Sequence, residues 1–148
     1  MIKIICVGKI KEKFYREAIL EYTKRLSKYT KLEIIEIPDS PLDDEINIEG
    51  KNILKHIKDN EYVITMEIDG NKLSSLEFAS KLDNLFIYNS NITFVIGGSL
   101  GLSDLVKIRS NYQLSFSKMT FPHQLFRVIL LEQIYRAFKI NNNESYHK

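Results

Sequence analysis

With 148 residues, 44% of them hydrophobic and 27% charged, the chain has the length and composition of one globular domain with a sizeable core. Its 21 Lys and Arg against 19 Asp and Glu leave a net charge of +2, so charge alone announces no nucleic-acid partner, and any basic surface must come from local clustering. A single cysteine excludes an internal disulfide, no segment has a signal-peptide pattern, and no apolar run approaches the roughly 20 residues of a membrane span; a reducing cytoplasm is the expected location.

In chain order, "MIKIICVG" reads as a strand ended by Gly8, with Cys6 a small buried hydrophobe. "KEKFYREAILEYTKRLSKYT" spaces Phe14, Ala18, Tyr22, Leu26 and Tyr29 by three and four, the apolar stripe of an amphipathic helix. "KLEIIEIP" is a second strand, halted by Pro38; "DSPLDDE" is a loop leading into a helix around "GKNILKHIK". "EYVITMEI" is a third strand and "DGNK" a turn by composition. Ser74 followed by Glu77 three residues later marks a capping box and the start of a third helix. "NITFVI" is a fourth strand running into "GGSLGLSD", where Ser103 can cap a short helix. "YQLSFS" is a fifth strand. Pro122 suits the first turn of a last helix ending near Phe138, and the tail "NNNESYHK" reads as flexible.

Short, continuously apolar strands alternating with helices imply an α/β domain spanning 1–148, with a mainly parallel sheet flanked by helices. Such sheets bind ligands beyond the carboxyl ends of their strands. Three stretches then become candidate sites: those after "VITME", after "TFVI" and after "LSFS".

"IGGSLGLS" fits either a tight strand-to-helix turn or a backbone that lets a ligand come close; it is neither a Walker motif nor a dinucleotide fingerprint. "FSKMTFPHQLFR" mixes two hydroxyls and a lysine with aromatics. It reads either as a hydrophobic connector or as the wall of a mostly apolar pocket for a flat heterocycle. His123, beside Pro122, is read as orienting that loop, and His56 as solvated. With His147 and one cysteine they lack metal-ligand spacing, so no metal site is expected. Arg127, Arg136 and Lys139 recur along the last helix, either as a solvated face or as phosphate contacts. The terminal "SYHK" sets an aromatic, a titratable group and a cation at the chain end, as a frayed tail or a functional one.

"ITFVIGGSLGLSD", "LSFSKMTFPHQLFRVILLEQIYRAF" and the final "YHK" resemble the ribosomal RNA large subunit methyltransferase H family. "VGKIKEKFYREAILEYTKRLSKY", "LEIIEIPD", "EGKNIL" and "LSS" extend the resemblance over nearly the whole chain. It implies a SPOUT-class fold with a C-terminal trefoil knot, a homodimer, S-adenosylmethionine as methyl donor, and methylation of N3 of a pseudouridine in 23S rRNA. The family's donor-binding positions fall on Met66, Gly97 and the run Phe116, Ser117, Lys118, Met119, Thr120 and Phe121. His147 becomes the candidate base, Tyr146 and Lys148 nucleotide contacts, and Arg127 and Arg136 candidate rRNA contacts. Three features depart from the family pattern. "SPLDDEINI" is shorter than a charged insertion many relatives carry, Met66 replaces a common leucine, and "EIDGNK" places its lysine one position late. A non-catalytic ribosome- or RNA-binding module, a phosphate-binding enzyme and a methyltransferase acting on another RNA are the alternative readings.

Overall fold

The structure is a computed structural model describing residues 1–40 and 44–148. Five strands, β1 (Ile2–Val7), β2 (Leu32–Ile37), β3 (Tyr62–Lys72), β4 (Ile92–Ile96) and β5 (Tyr112–Ser115), form one sheet in the order β2-β1-β4-β3-β5. Every pairing in it is parallel. Five helices alternate with them: α1 (Lys13–Leu26), α2 (Glu45–Leu54), α3 (Ser75–Tyr88), α4 (Asp104–Arg109) and α5 (His123–Asn141).

The strands' two-residue period divides the core. Ile2, Ile4 and Cys6 of β1 and Ile92, Phe94 and Ile96 of β4 face α1, α3 and α5, through Leu26, Phe78, Leu82, Leu130 and Ile134. Ile5, Val7, Val63 and Val95 face the other way, onto Ile53 of α2 and Val106 of α4. Each fully buried Leu or Ile contributes about 1.5–3 kcal/mol, which makes these two layers the main source of cohesion.

Local signals set the ends of several elements. Ser74 accepts from Glu77 N–H and the Glu77 side chain accepts from Ser74 N–H, the capping box read from sequence. The Ser103 side chain accepts from Val106 N–H at 3.4 Å to start α4. Pro122 is the N-cap of α5, which continues three residues past Phe138 to Asn141.

Other expectations change. "DGNK" is no free turn: β3 continues to Lys72, and both Met66 and Asn71 lie opposite Leu114, so residues 67–70 bulge out of the ladder. Phe14 is 63% exposed against Tyr15, and only Leu26 of the expected α1 stripe is fully buried. Of the short "SPLDDEINI" stretch, Glu45 to Ile48 form the start of α2, while residues 41–43 lie outside the described residues.

Candidate active site

The sheet's carboxyl edge carries a cavity of about 510 Å³. Its floor comes from the ends of three neighbouring strands: Met66 of β3, Ile96 of β4, and Leu114 and Ser115 of β5. Two loops wall it, the one after β4 and the one joining β5 to α5.

The first loop turns sharply because it is built of glycine. Gly101 N–H donates to Gly98 O at 3.1 Å, and Gly101 sits at φ +82°, where other residues are strained. The chain thereby doubles back onto Gly97, where a Cβ would lie 2.6 Å from Gly101 O, a distance that only glycine permits.

Side-chain oxygens and aromatic packing hold the second loop. Ser115 Oγ donates to Ser117 O at 3.2 Å, and Ser117 Oγ accepts from Met119 N–H at 3.0 Å. Phe116 packs on Phe126 at 5.2 Å between ring centroids and on Phe78 at 6.5 Å, which anchors the loop to the core. Phe121 meets the same Phe126 at 6.2 Å. Both readings of these aromatics therefore hold at once: they pack, and they line the cavity.

Of the eight donor-binding positions carried over from the resemblance, seven line this cavity; Lys118 is exposed and does not. Composition did not reveal Glu67 and Asp69, which the β3 bulge brings to the wall, nor Lys107 of α4. Glu67 accepts from Thr65 Oγ at 2.6 Å and lies 4.0 Å from Lys107 Nζ. The one signal for the two acids was their position just after a strand that ends at a candidate site.

The C-terminal tail is docked and not free. Tyr146 packs edge-on against Tyr135 at 5.0 Å and donates to Glu132 Oε1 at 3.0 Å. Burial and that bond push its phenol up from the ordinary value. His147 Nδ1 pairs with Arg136 at 3.1 Å, and Arg136 is forked onto Glu132. Glu132 lies six residues beyond Phe126, the last residue of α5 to line the cavity, about 9 Å along the helix. The tail thus sits away from the cavity of its own chain, among whose walls it does not appear.

Arg127 is not a surface residue. It is 1% exposed, with Nη1 2.7 Å from Glu36 Oε2 and Nη2 donating to Gly8 O at 3.1 Å. It ties α5 to the ends of β1 and β2, so the expectation of a solvent-facing rRNA contact at this position is corrected. Arg136 is half-buried, over the Tyr146 ring at 4.8 Å. Beside it, Lys24, Arg25, Lys28 and Lys139 border a shallow second depression between α1 and α5.

A parallel sheet with a glycine-built cavity over its carboxyl edge, closed by a loop that feeds the last helix, is a ligand-binding architecture, and family comparison gives its class as SPOUT methyltransferase. The family model described as "Predicted SPOUT methyltransferase" matches residues 1–147. A probable methylase family protein from Haemophilus influenzae Rd KW20 shares the fold with TM-score 0.61 at 17% identity, over 99% of this chain and 70% of that one. "Ribosomal RNA large subunit methyltransferase H" of Clostridium botulinum (strain 657 / Type Ba4) is 58% identical over 157 aligned positions, covering 99% of both chains. "Ribosomal RNA large subunit methyltransferase H 1" of Clostridium perfringens (strain SM101 / Type A) matches at the same identity and coverage. The chain belongs to the ribosomal RNA large subunit methyltransferase H family.

Proposed function

We propose that this protein uses S-adenosylmethionine to methylate N3 of a pseudouridine in 23S rRNA, acting in the cytoplasm as a homodimer with a C-terminal trefoil knot. The observation that carries the reading is the convergence of Met66, Gly97 and five of the six residues from Phe116 to Phe121 on one cavity, in a chain 58% identical to enzymes with that name. The donor fits what lines the cavity. Met66, Ile96, Leu114, Phe116 and Phe126 offer apolar walls for a flat base, the Gly97 turn lets backbone approach, and Glu67 and Asp69 place negative charge beside a cationic ligand.

When bound, the donor supplies a methyl group made electrophilic by its sulfonium. The rest falls to this chain. The two loops hold one reactant and exclude water, and positioning of this kind is worth about 7–11 kcal/mol in favourable cases. The tail, docked about 9 Å along α5 from Phe126, the last cavity residue of that helix, serves the partner subunit's site instead. There Tyr146 and Lys148 grip the nucleotide, and His147 joins them once Arg136 releases it. Lys24, Arg25, Lys28 and Lys139 meet rRNA phosphates beside α1 and α5. With a net charge of only +2, recognition rests on the shape of the assembled subunit as well.

Large-subunit rRNA from a strain lacking this protein, compared by mass spectrometry with rRNA from the complemented strain, tests the reading. The expected result is one pseudouridine that loses its methyl group with the gene and regains it on complementation. Identical masses at every pseudouridine would overturn it.

A further inference from the structure

Resting on that reading, we propose that His123 accepts the N3 proton of the target base, and that Asp39 is the positioning residue that sets its ring. His123 opens α5 directly after Pro122 and lines the cavity. Its far side meets the end of β1. A Cβ at Gly8 would lie 3.2 Å from His123 Nε2 and 3.5 Å from Asp39 Oδ2, so imidazole and carboxylate both approach the bare backbone of Gly8. Gly8 holds that gap open at φ +94°, and its carbonyl is fixed by Arg127, which Glu36 holds in turn.

A base that borders the reaction cavity, with a carboxylate beside the same backbone to steer its ring, suits proton abstraction. Carboxylates stand on both sides of it. Asp39, Glu45 and Glu49 gather carboxylate oxygens within 4.8 Å of one another, and Glu36 stands near on β2; Arg127 is the opposing cation, already spent on Glu36. On the cavity side Glu67 and Asp69 add two more carboxylates from β3, with Lys107 paired to Glu67. The other histidines are placed elsewhere: His56 is exposed beyond α2, and His147 is bound to Arg136. His123 is thus the histidine of this cavity, and the tail is left with gripping the nucleotide.

The step balances. The N3–H bond breaks and its proton passes to the imidazole; the freed N3 pair forms the bond to the methyl carbon. The electron pair of the breaking carbon–sulfur bond stays on sulfur, leaving a neutral thioether, and the imidazolium returns its proton to solvent.

The test uses the full-length protein with large ribosomal subunits lacking the modification, under single turnover, alongside calorimetric binding of S-adenosylhomocysteine. For His123→Asn, methyl transfer at neutral pH should fall about 100-fold, the lower range for a positioned base. Its rate should then climb about tenfold per pH unit, as N3 ionises without help, while the wild-type rate flattens. Thioether binding should stay within about threefold in both. Asp39→Asn, at an exposed position, should lose about tenfold in rate with the thioether bound normally. An active wild type with His123→Asn within about threefold of it, or a variant whose pH profile parallels wild type, would overturn this inference alone. A wild type that transfers no methyl to that rRNA would overturn the functional reading, and this inference with it.

Discussion

The two ends of one sheet treat polar groups in opposite ways. At the amino end, Lys3 is buried in β1 and spends its ammonium on Glu61 at 2.7 Å and on His56 O at 2.8 Å. The second oxygen of Glu61 accepts from Thr93 at 2.8 Å, and Arg109 caps the carbonyls of Lys58 and Glu61. These groups satisfy one another, and that end closes. At the carboxyl end, glycine turns and an aromatic loop leave a cavity in which Glu67, Asp69, Lys107 and His123 border open space. The contrast teaches where the fold is spent on stability and where on binding: buried polar groups cost free energy unless paired, whereas the carboxyl-end groups, the Glu67–Lys107 pair included, still border open space.

That contrast can be broken from either side. Removing residues 146–148 should lower methyl transfer about 10³-fold, since truncated positioning costs rate directly. Donor binding should change by less than about threefold, because the tail is assigned to the nucleotide and not to the donor. Rate and binding falling together would make the tail part of the donor pocket and not of nucleotide positioning alone.

Lys3→Met should destabilise the fold by about 3–5 kcal/mol, because it leaves the Glu61 carboxylate buried without its cation. Thermal melting checks this, with donor affinity at the remaining folded temperature unchanged. The effect has a defined pH dependence. Burial pushes the Glu61 carboxyl up, but its bonds from Lys3 and Thr93 outweigh this and hold it below the ordinary value of 4.5. A lowered folded value stabilises the protein above the ordinary carboxylate range and ceases to as pH falls through it. The gap between wild type and Lys3→Met should therefore be full at neutral pH and narrow below pH 4.5. A gap that is constant with pH would mean that packing and not charge holds this end together.

The smallest effect concerns Cys6, fully buried in β1, where burial pushes the thiol up to about 12. At pH 8 almost none of it is thiolate, so the native protein should resist alkylation that the unfolded chain undergoes readily. Rapid native alkylation would show that the β1 layer opens.

Much of this was legible in the residues. The five apolar runs gave five strands, and Ser74 with Glu77 gave a helix start, because these signals are local. The candidate positions at three strand ends fell on one cavity, because parallel sheets expose all their carboxyl ends on one edge. What stayed hidden depends on long-range pairing. Asp69 and Gly70 carry a turn signal, yet pairing with β5 absorbs them as a bulge beside Leu114. Arg127 reads as one more basic residue on a helix, but its partner Glu36 lies 91 positions away. The tail looks frayed by composition; its partners Glu132, Tyr135 and Arg136 become visible only once the chain turns back after Asn141.

The central claim is that the carboxyl-edge cavity grips the methyl donor through the Gly97 turn. Its most direct test is calorimetric titration of S-adenosylmethionine into wild-type protein and into Gly97→Ala, whose Cβ would press on Gly101 O at 2.6 Å. The account predicts saturable binding to the wild type and affinity about 10- to 100-fold weaker in the variant, the size of an overpacking penalty of about 1–3 kcal/mol. Wild-type protein that takes up no donor, or a variant that binds it equally well, would contradict it.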